Sequence, residues 1–213
     1  MKNMSIRSLF GSALLGVDMG DDAVRVVELG RNRGTLSCRH YGVAALPPGA
    51  MLDGHIEDPD SLSVAVRQAC RASGSGCARV ALAMPATALI THAIRLPAGL
   101  PDEQLEILVE LEAAQYMPFA LEDASLDFCV LGPAPPLAQA REDAEIDVLL
   151  VAARRASVQR RLDVAAAAGL RAIVMDSEPL ARQAALAQGG WRTLPDGHAC
   201  QLAWGLAMHR FDR

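Results

Sequence analysis

Gly16-Val17-Asp18-Met19-Gly20-Asp21-Asp22-Ala23-Val24-Arg25-Val26-Val27-Glu28-Leu29 is the stretch that decides the fold. The apolar run leading into it from Ala13 is closed by Asp18, the pattern of a central buried strand over 13–18. Met19-Gly20-Asp21-Asp22 is turn chemistry, because Gly tolerates positive φ and Asp caps local amides. A second strand over 23–29 follows, carried by the β-branched Val24, Val26 and Val27. Gly30-Arg31-Asn32-Arg33-Gly34 reads as another turn and 35–44 as a third strand, so an antiparallel meander opens the sheet.

Working outward, Pro47-Pro48-Gly49 ends this unit, and Asp58-Pro59 opens a helix with Asp as N-cap and Pro at the first helical position. Leu62, Ala65, Val66, Ala69 and Cys70 share one helical face, and Gly74 stops it. Residues 79–84 form a fourth strand, set parallel to a neighbour by a right-handed crossover. Residues 86–144 read as an inserted α+β subdomain. It holds a strand at 88–96, an acidic helix at 102–115 with Leu105, Leu108 and Val109 inward, a strand at 126–131 and a proline-rich mobile loop at 132–143. A strand at 147–152, a helix at 157–168, a strand at 172–176 and a helix at 178–188 complete the run. The expected division is therefore 1–85, insert 86–144, return 145–188, then a linker and C-terminal helix over 189–213.

Composition bounds the function. Hydrophobic residues make up 51% but aromatics only 4%, so Ala, Val and Leu build the core of a layered α/β protein. A formal net charge of -5 gives no general attraction to nucleic acid or anionic lipid. Cys38, Cys70, Cys77, Cys129 and Cys200 are odd in number and lack CxxC spacing, which predicts reduced thiols in a cytoplasmic protein and no zinc cluster. The apolar run 9–17 behind Lys2 and Arg7 lacks a small-x-small cleavage site and is too short to span a bilayer, so it reads as a buried strand. His40, His92 and His198 stand alone, His55 falls in a loop and His209 on the tail helix, and Ser157 and Ser177 lack a nucleophile-elbow context. None of these suggests hydrolase chemistry.

The order βββαβ, insert, βαβα is one half of the actin-like, ribonuclease H-like architecture. Gly16–Gly20 with Val24–Leu29 resembles the first phosphate hairpin of that fold, and the PilM family of type IV pilus assembly proteins in particular. Leu46-Pro47-Pro48-Gly49-Ala50, Asp53-Gly54-His55-Ile56, Ala88-Leu89-Ile90-Thr91, Glu110–Phe119, Leu126-Asp127-Phe128 and Val174-Met175-Asp176 continue the resemblance in register. In that family a second actin-like half follows the helix ending near Gln188; here Gly189-Gly190-Trp191-Arg192 leads at once to Ala203–Phe211, which resembles the family's C-terminal helix.

The resemblance implies a site. Actin-like folds hold ATP phosphates on the amides of two facing hairpins, with a carboxylate orienting Mg²⁺ through water. Asp18 would be that carboxylate, and Gly20, Asp21 and Asp22 would line the phosphate side as a vestigial hairpin. Ionised Asp21 and Asp22 cannot donate to phosphate and repel it, so an ordinary acidic β-turn is the other reading of the same residues. The facing hairpin and most hydrolytic groups would come from the second half. The resemblance further implies a non-enzymatic adaptor at the cytoplasmic face of the inner membrane. It would bind the cytoplasmic N-terminal tail of a PilN-type membrane protein in a groove between the two subdomains of this half. Strand residues 88–91 and helix 105–116 are candidate lining by location. The alternatives are an actin-like ATPase of pilus assembly, or a relict whose apolar surface drives self-association. Neither nucleic-acid binding nor membrane insertion is expected, and the cytoplasmic domain of type II secretion GspL is a weaker match.

Overall fold

The computed structural model describes residues 13–32, 34–135 and 144–211. β1 (Leu15–Met19), β2 (Ala23–Asn32) and β3 (Thr35–Ala45) form the expected meander, with Val17 opposite Val26 and Asp18 opposite Arg25. The second hairpin runs further than its glycines suggest: Gly30, Arg31 and Asn32 stay in β2, paired with Ser37, Leu36 and Thr35. The reason lies across the ladder. The Arg39 side chain occupies the space above Gly30, where a Cβ would come within 2.4 Å of Nε.

α1 (Pro59–Ser73) is bounded as its sequence dictates. Asp58 accepts the amides of Asp60 and Ser61 at 3.1 and 3.0 Å, and Gly74 ends the helix at φ 69°. Between β3 and α1 lies a small ribbon not anticipated from the sequence, β4 (Met51–Leu52) and β5 (His55–Ile56). Its turn is Asp53-Gly54, both at positive φ, the pairing that two-residue hairpins require. His55 is thus a strand residue and not a loop residue.

β6 (Arg79–Met84) lies parallel to β1, and β10 (Arg171–Ser177) parallel to β6, giving the order β10-β6-β1-β2-β3. Both faces of this sheet are covered, which is why β2 reads as a run and not an alternation. Val24 and Val26 join Leu15, Val17 and the apolar face of α1, together with Val164 and Ala165 of α3 (Arg155–Ala167). Val27 and Leu29 point the other way, onto Trp191, Trp204 and Ala203. α4 (Glu178–Gln188) and α5 (Gln201–Met208) form that second layer. The C-terminal helix expected within 189–213 begins at Gln201, because Gly197–Cys200 is a 3₁₀ turn; its Leu202, Ala203 and Leu206 are buried. From the run 9–17, residues 9–12 lie outside the described residues, and Leu15–Val17 belong to the buried strand β1.

The chain divides into two units: one comprising residues up to Thr87 and from Gln159 onward, the other Ala88–Val158. The second unit is a three-stranded antiparallel sheet, order β7-β9-β8, of β7 (Leu89–Pro97), β8 (Ala124–Pro133) and β9 (Glu145–Arg154). α2 (Asp102–Ala113) packs Leu105, Val109 and Ala113 on Ile94, Leu96, Val148 and Leu150. The expected boundary at 144 moves to 158 because β9 is the central strand of this inserted sheet, pairing with both edges. Gly132 and Pro133 close β8, and the rest of the proline-rich loop, 136–143, lies outside the described residues.

Candidate functional site

Three parallel strands, β1, β6 and β10, end at the same rim, the position at which open α/β sheets place their ligands. A cleft of about 1040 Å³ opens there within the first unit. Asp18, Gly20, Asp21 and Asp22 all line it, so the turn brings together the four residues singled out in the sequence. Asp53, Glu178, Arg25, Arg161 and Arg182 line it too. Of these, only Arg25 had a local signal: the hairpin is symmetric about its turn, which sets residue 25 opposite residue 18. Arg161 and Arg182 arrive from helices more than a hundred residues away, and no spacing announces them.

Asp18 is 6% exposed at the end of β1. Burial pushes its carboxyl up to about 7, against the opposing pull of Arg182 and Arg25 and with the repulsion of Glu178 and Asp22. The neighbouring cations are engaged elsewhere. Arg25 grips Asp22 with two hydrogen bonds of 3.0 and 2.7 Å, which holds the Asp22 carboxyl below the usual range. Arg182 donates to Glu178 at 2.9 and 2.6 Å one helical turn away. Arg161 is buried, its pKa lowered to about 10, and it donates to the carbonyl oxygens of Ala83 at 3.0 Å and of Gly54. It thereby ties the Asp53-Gly54 turn to the end of β6. Gly54 N–H in turn donates to Asp21 at 3.4 Å.

These groups do not fit a magnesium–polyphosphate. Among the described residues, five carboxyl groups line the cleft against three guanidinium groups, and each guanidinium already serves a carboxylate or a pair of carbonyls. The Gly20 amide is spent inside its own turn on the Ala23 carbonyl, at 3.2 Å. A triphosphate would meet Asp21 and Asp22 with about 4 kcal/mol of repulsion per close unit-charge pair at surface-like dielectric. Among the described residues, no three His, Cys, Asp or Glu side chains are grouped to hold a metal ion.

In the second unit, the residues expected to line a groove divide. Leu105, Val109 and Ala113 are consumed by that unit's own core, whereas Ile107 and Leu111 face solvent. Tyr116 stacks on His92 with ring centroids 3.7 Å apart, so His92 supports an aromatic surface instead of standing alone. His198 lies against Trp191, and His40 Nδ1 is 3.1 Å from the Ser73 carbonyl.

A meander, two parallel crossover strands and an inserted α+β unit, with a carboxylate at the end of β1, define one half of an actin-like fold. The model of the type IV pilus assembly protein PilM family matches residues 16–211, and the chain belongs to that family. Among solved structures it is similar to the PilM-PilN type IV pilus biogenesis complex, with 28% identity and a TM-score of 0.69 over 81% of this chain. It is also similar to the cytoplasmic domain of EpsL, an inner membrane component of the type II secretion system of Vibrio cholerae. There the identity is 19% and the TM-score 0.48, over 80% of this chain and 59% of that one. The chain spans about half of its counterpart in the PilM-PilN complex, 49%.

Proposed function

We propose that this protein is a docking adaptor of type IV pilus assembly, working at the cytoplasmic face of the inner membrane and capturing the N-terminal tail of a PilN-type membrane protein. The observation that carries this reading is the match to the PilM-PilN complex over 81% of the chain, in a chain whose inserted unit holds a three-stranded sheet and a helix. Tail capture draws on backbone hydrogen bonds and side-chain pockets and needs no nucleotide. The charge balance of the cleft supports the same choice, since excess carboxylate disfavours ATP. No helix of the described residues is long and apolar enough to cross a membrane.

Thermal unfolding of the full chain, with a PilN-type N-terminal peptide and separately with Mg-ATP, tests this. A ligand that binds only the folded state stabilises by about 2.7 kcal/mol at a hundredfold excess over Kd. The peptide is expected to raise Tm saturably and Mg-ATP to leave it unchanged. Stabilisation by Mg-ATP alone would overturn the adaptor reading in favour of an actin-like ATPase.

A further inference from the structure

α2 carries two apolar stripes where its own fold needs one. Leu105, Val109 and Ala113 face the inserted sheet. With 3.6 residues per turn, Ile107, Leu111 and Ala114 fall on nearly the opposite side, at i, i+4 and i+7. Ile107 is 65% exposed and Leu111 63%. A single exposed leucine needs no explanation, but a row at helical spacing is the shape a partner helix packs against.

The flanking charge indicates which partner. α2 carries Asp102, Glu103, Glu106, Glu110 and Glu112, with no basic residue. Asp102 and Glu103 complement the helix N-terminus. Glu110 and Glu112 lie towards the C-terminal end, where the helix dipole disfavours acids, and Glu106 and Glu110 repel at i,i+4. No Lys or Arg stands between Arg95 and Arg141, a stretch with eight acids in a chain of net charge -5, so the rest of the chain is net basic. The stretch that carries this apolar row is thus the acidic part of the sequence, and no basic side chain of α2 offsets the repulsion between Glu106 and Glu110. An anionic lipid surface would be repelled. A second copy presenting the same face would set acid against acid.

We propose that the outward face of α2, Ile107, Leu111 and Ala114 bordered by Glu103, Glu106 and Glu110, docks a basic amphipathic helix of a partner protein. This is a second docking surface, independent of tail capture. Leucines at i, i+4 and i+7 of the partner interleave with the row, and lysines or arginines on its flank meet the three glutamates.

The probe is a synthetic peptide helix with leucines at those spacings and lysines on one flank, titrated into the full chain by fluorescence anisotropy and amide chemical-shift mapping. Saturable binding is expected, with the largest shifts over 103–114. Ile107→Gln/Leu111→Gln should weaken it about tenfold or more. Glu106→Gln/Glu110→Gln should weaken it several-fold and flatten its salt dependence. All four positions are solvent-facing or partly so, and an unchanged circular dichroism spectrum, with Ile107→Ala as a milder variant, separates lost docking from lost folding. A PilN-type tail peptide, added at saturation to the wild-type chain, should leave the affinity for the helix peptide unchanged, because the two occupy different surfaces. Equal binding by a scrambled peptide of the same composition, or unchanged affinity in both double variants, overturns the proposal. Loss of the tail peptide in the same variants overturns it by assigning the row to the tail. Self-association abolished by Ile107→Gln/Leu111→Gln overturns it in favour of a second copy.

Discussion

Asp18 sits at the end of a buried strand with its carboxyl pushed up to about 7 by burial. Its ordinary value is 3.8. Between those two values the folded chain holds a proton that the unfolded chain has released, so stability falls as pH rises through the window, and the deficit is complete above about 7. A shift of this size corresponds to roughly 4 kcal/mol as an upper figure. Asp18→Asn removes the titration, so urea unfolding at pH 5 and pH 8 should show the variant gaining on the wild type at the higher pH. If variant and wild type keep the same gap at both pH values, Asp18 is not the group responsible. Arg161 behaves differently because its role is to hold two carbonyls, those of Ala83 and Gly54. Arg161→Met leaves both without their donor and should cost about 2–4 kcal/mol in the same assay, with faster amide exchange in the Asp53-Gly54 turn.

At the scale of elements, the packing of α5 onto β1 depends on the absence of a side chain at Gly16. A Cβ there would lie 1.9 Å from the Ala203 carbonyl oxygen, and one on Gly205 would lie 1.9 Å from that of Ala181. Gly16→Ala should lift α5 off the sheet at a cost of about 3 kcal/mol or more. Trp191 and Trp204, both buried, should then shift their emission to the red as Tm falls; unchanged emission would mean that α5 is not held there. The same elements explain what the sequence could and could not disclose. α1 was legible to the residue, since its cap, its proline and its stop are all local. The hairpin with Asp18, Gly20, Asp21 and Asp22 was legible for the same reason. The β4–β5 ribbon had a local signal in Asp53-Gly54 that a reading for longer strands passes over. The place of β9 and the convergence of Arg161 and Arg182 on the cleft depend on pairings between distant segments, and no window of residues contains them.

At the scale of the whole molecule, the chain has separate apolar cores. Ile94, Leu96, Leu105, Val109, Val148 and Leu150 belong wholly to the inserted unit, whereas the clusters on both faces of the five-stranded sheet belong to the other. A core that closes on itself opens as a cooperative unit of its own, so native-state hydrogen exchange should sort the amides into two classes. β7, β8, β9 and α2 should share one opening free energy, and β1, β2 and β6 another. Leu150→Ala provides the decisive perturbation, because this side chain is fully buried in the middle of the inserted sheet. Truncating a buried leucine costs about 2–5 kcal/mol. That loss should appear as faster exchange across β7, β8, β9 and α2, with protection in β1, β2 and β6 unchanged. A uniform loss through both classes would mean that the two cores open together. Separate opening would let the inserted unit adjust to a docked partner while α5 and the five-stranded sheet stay closed.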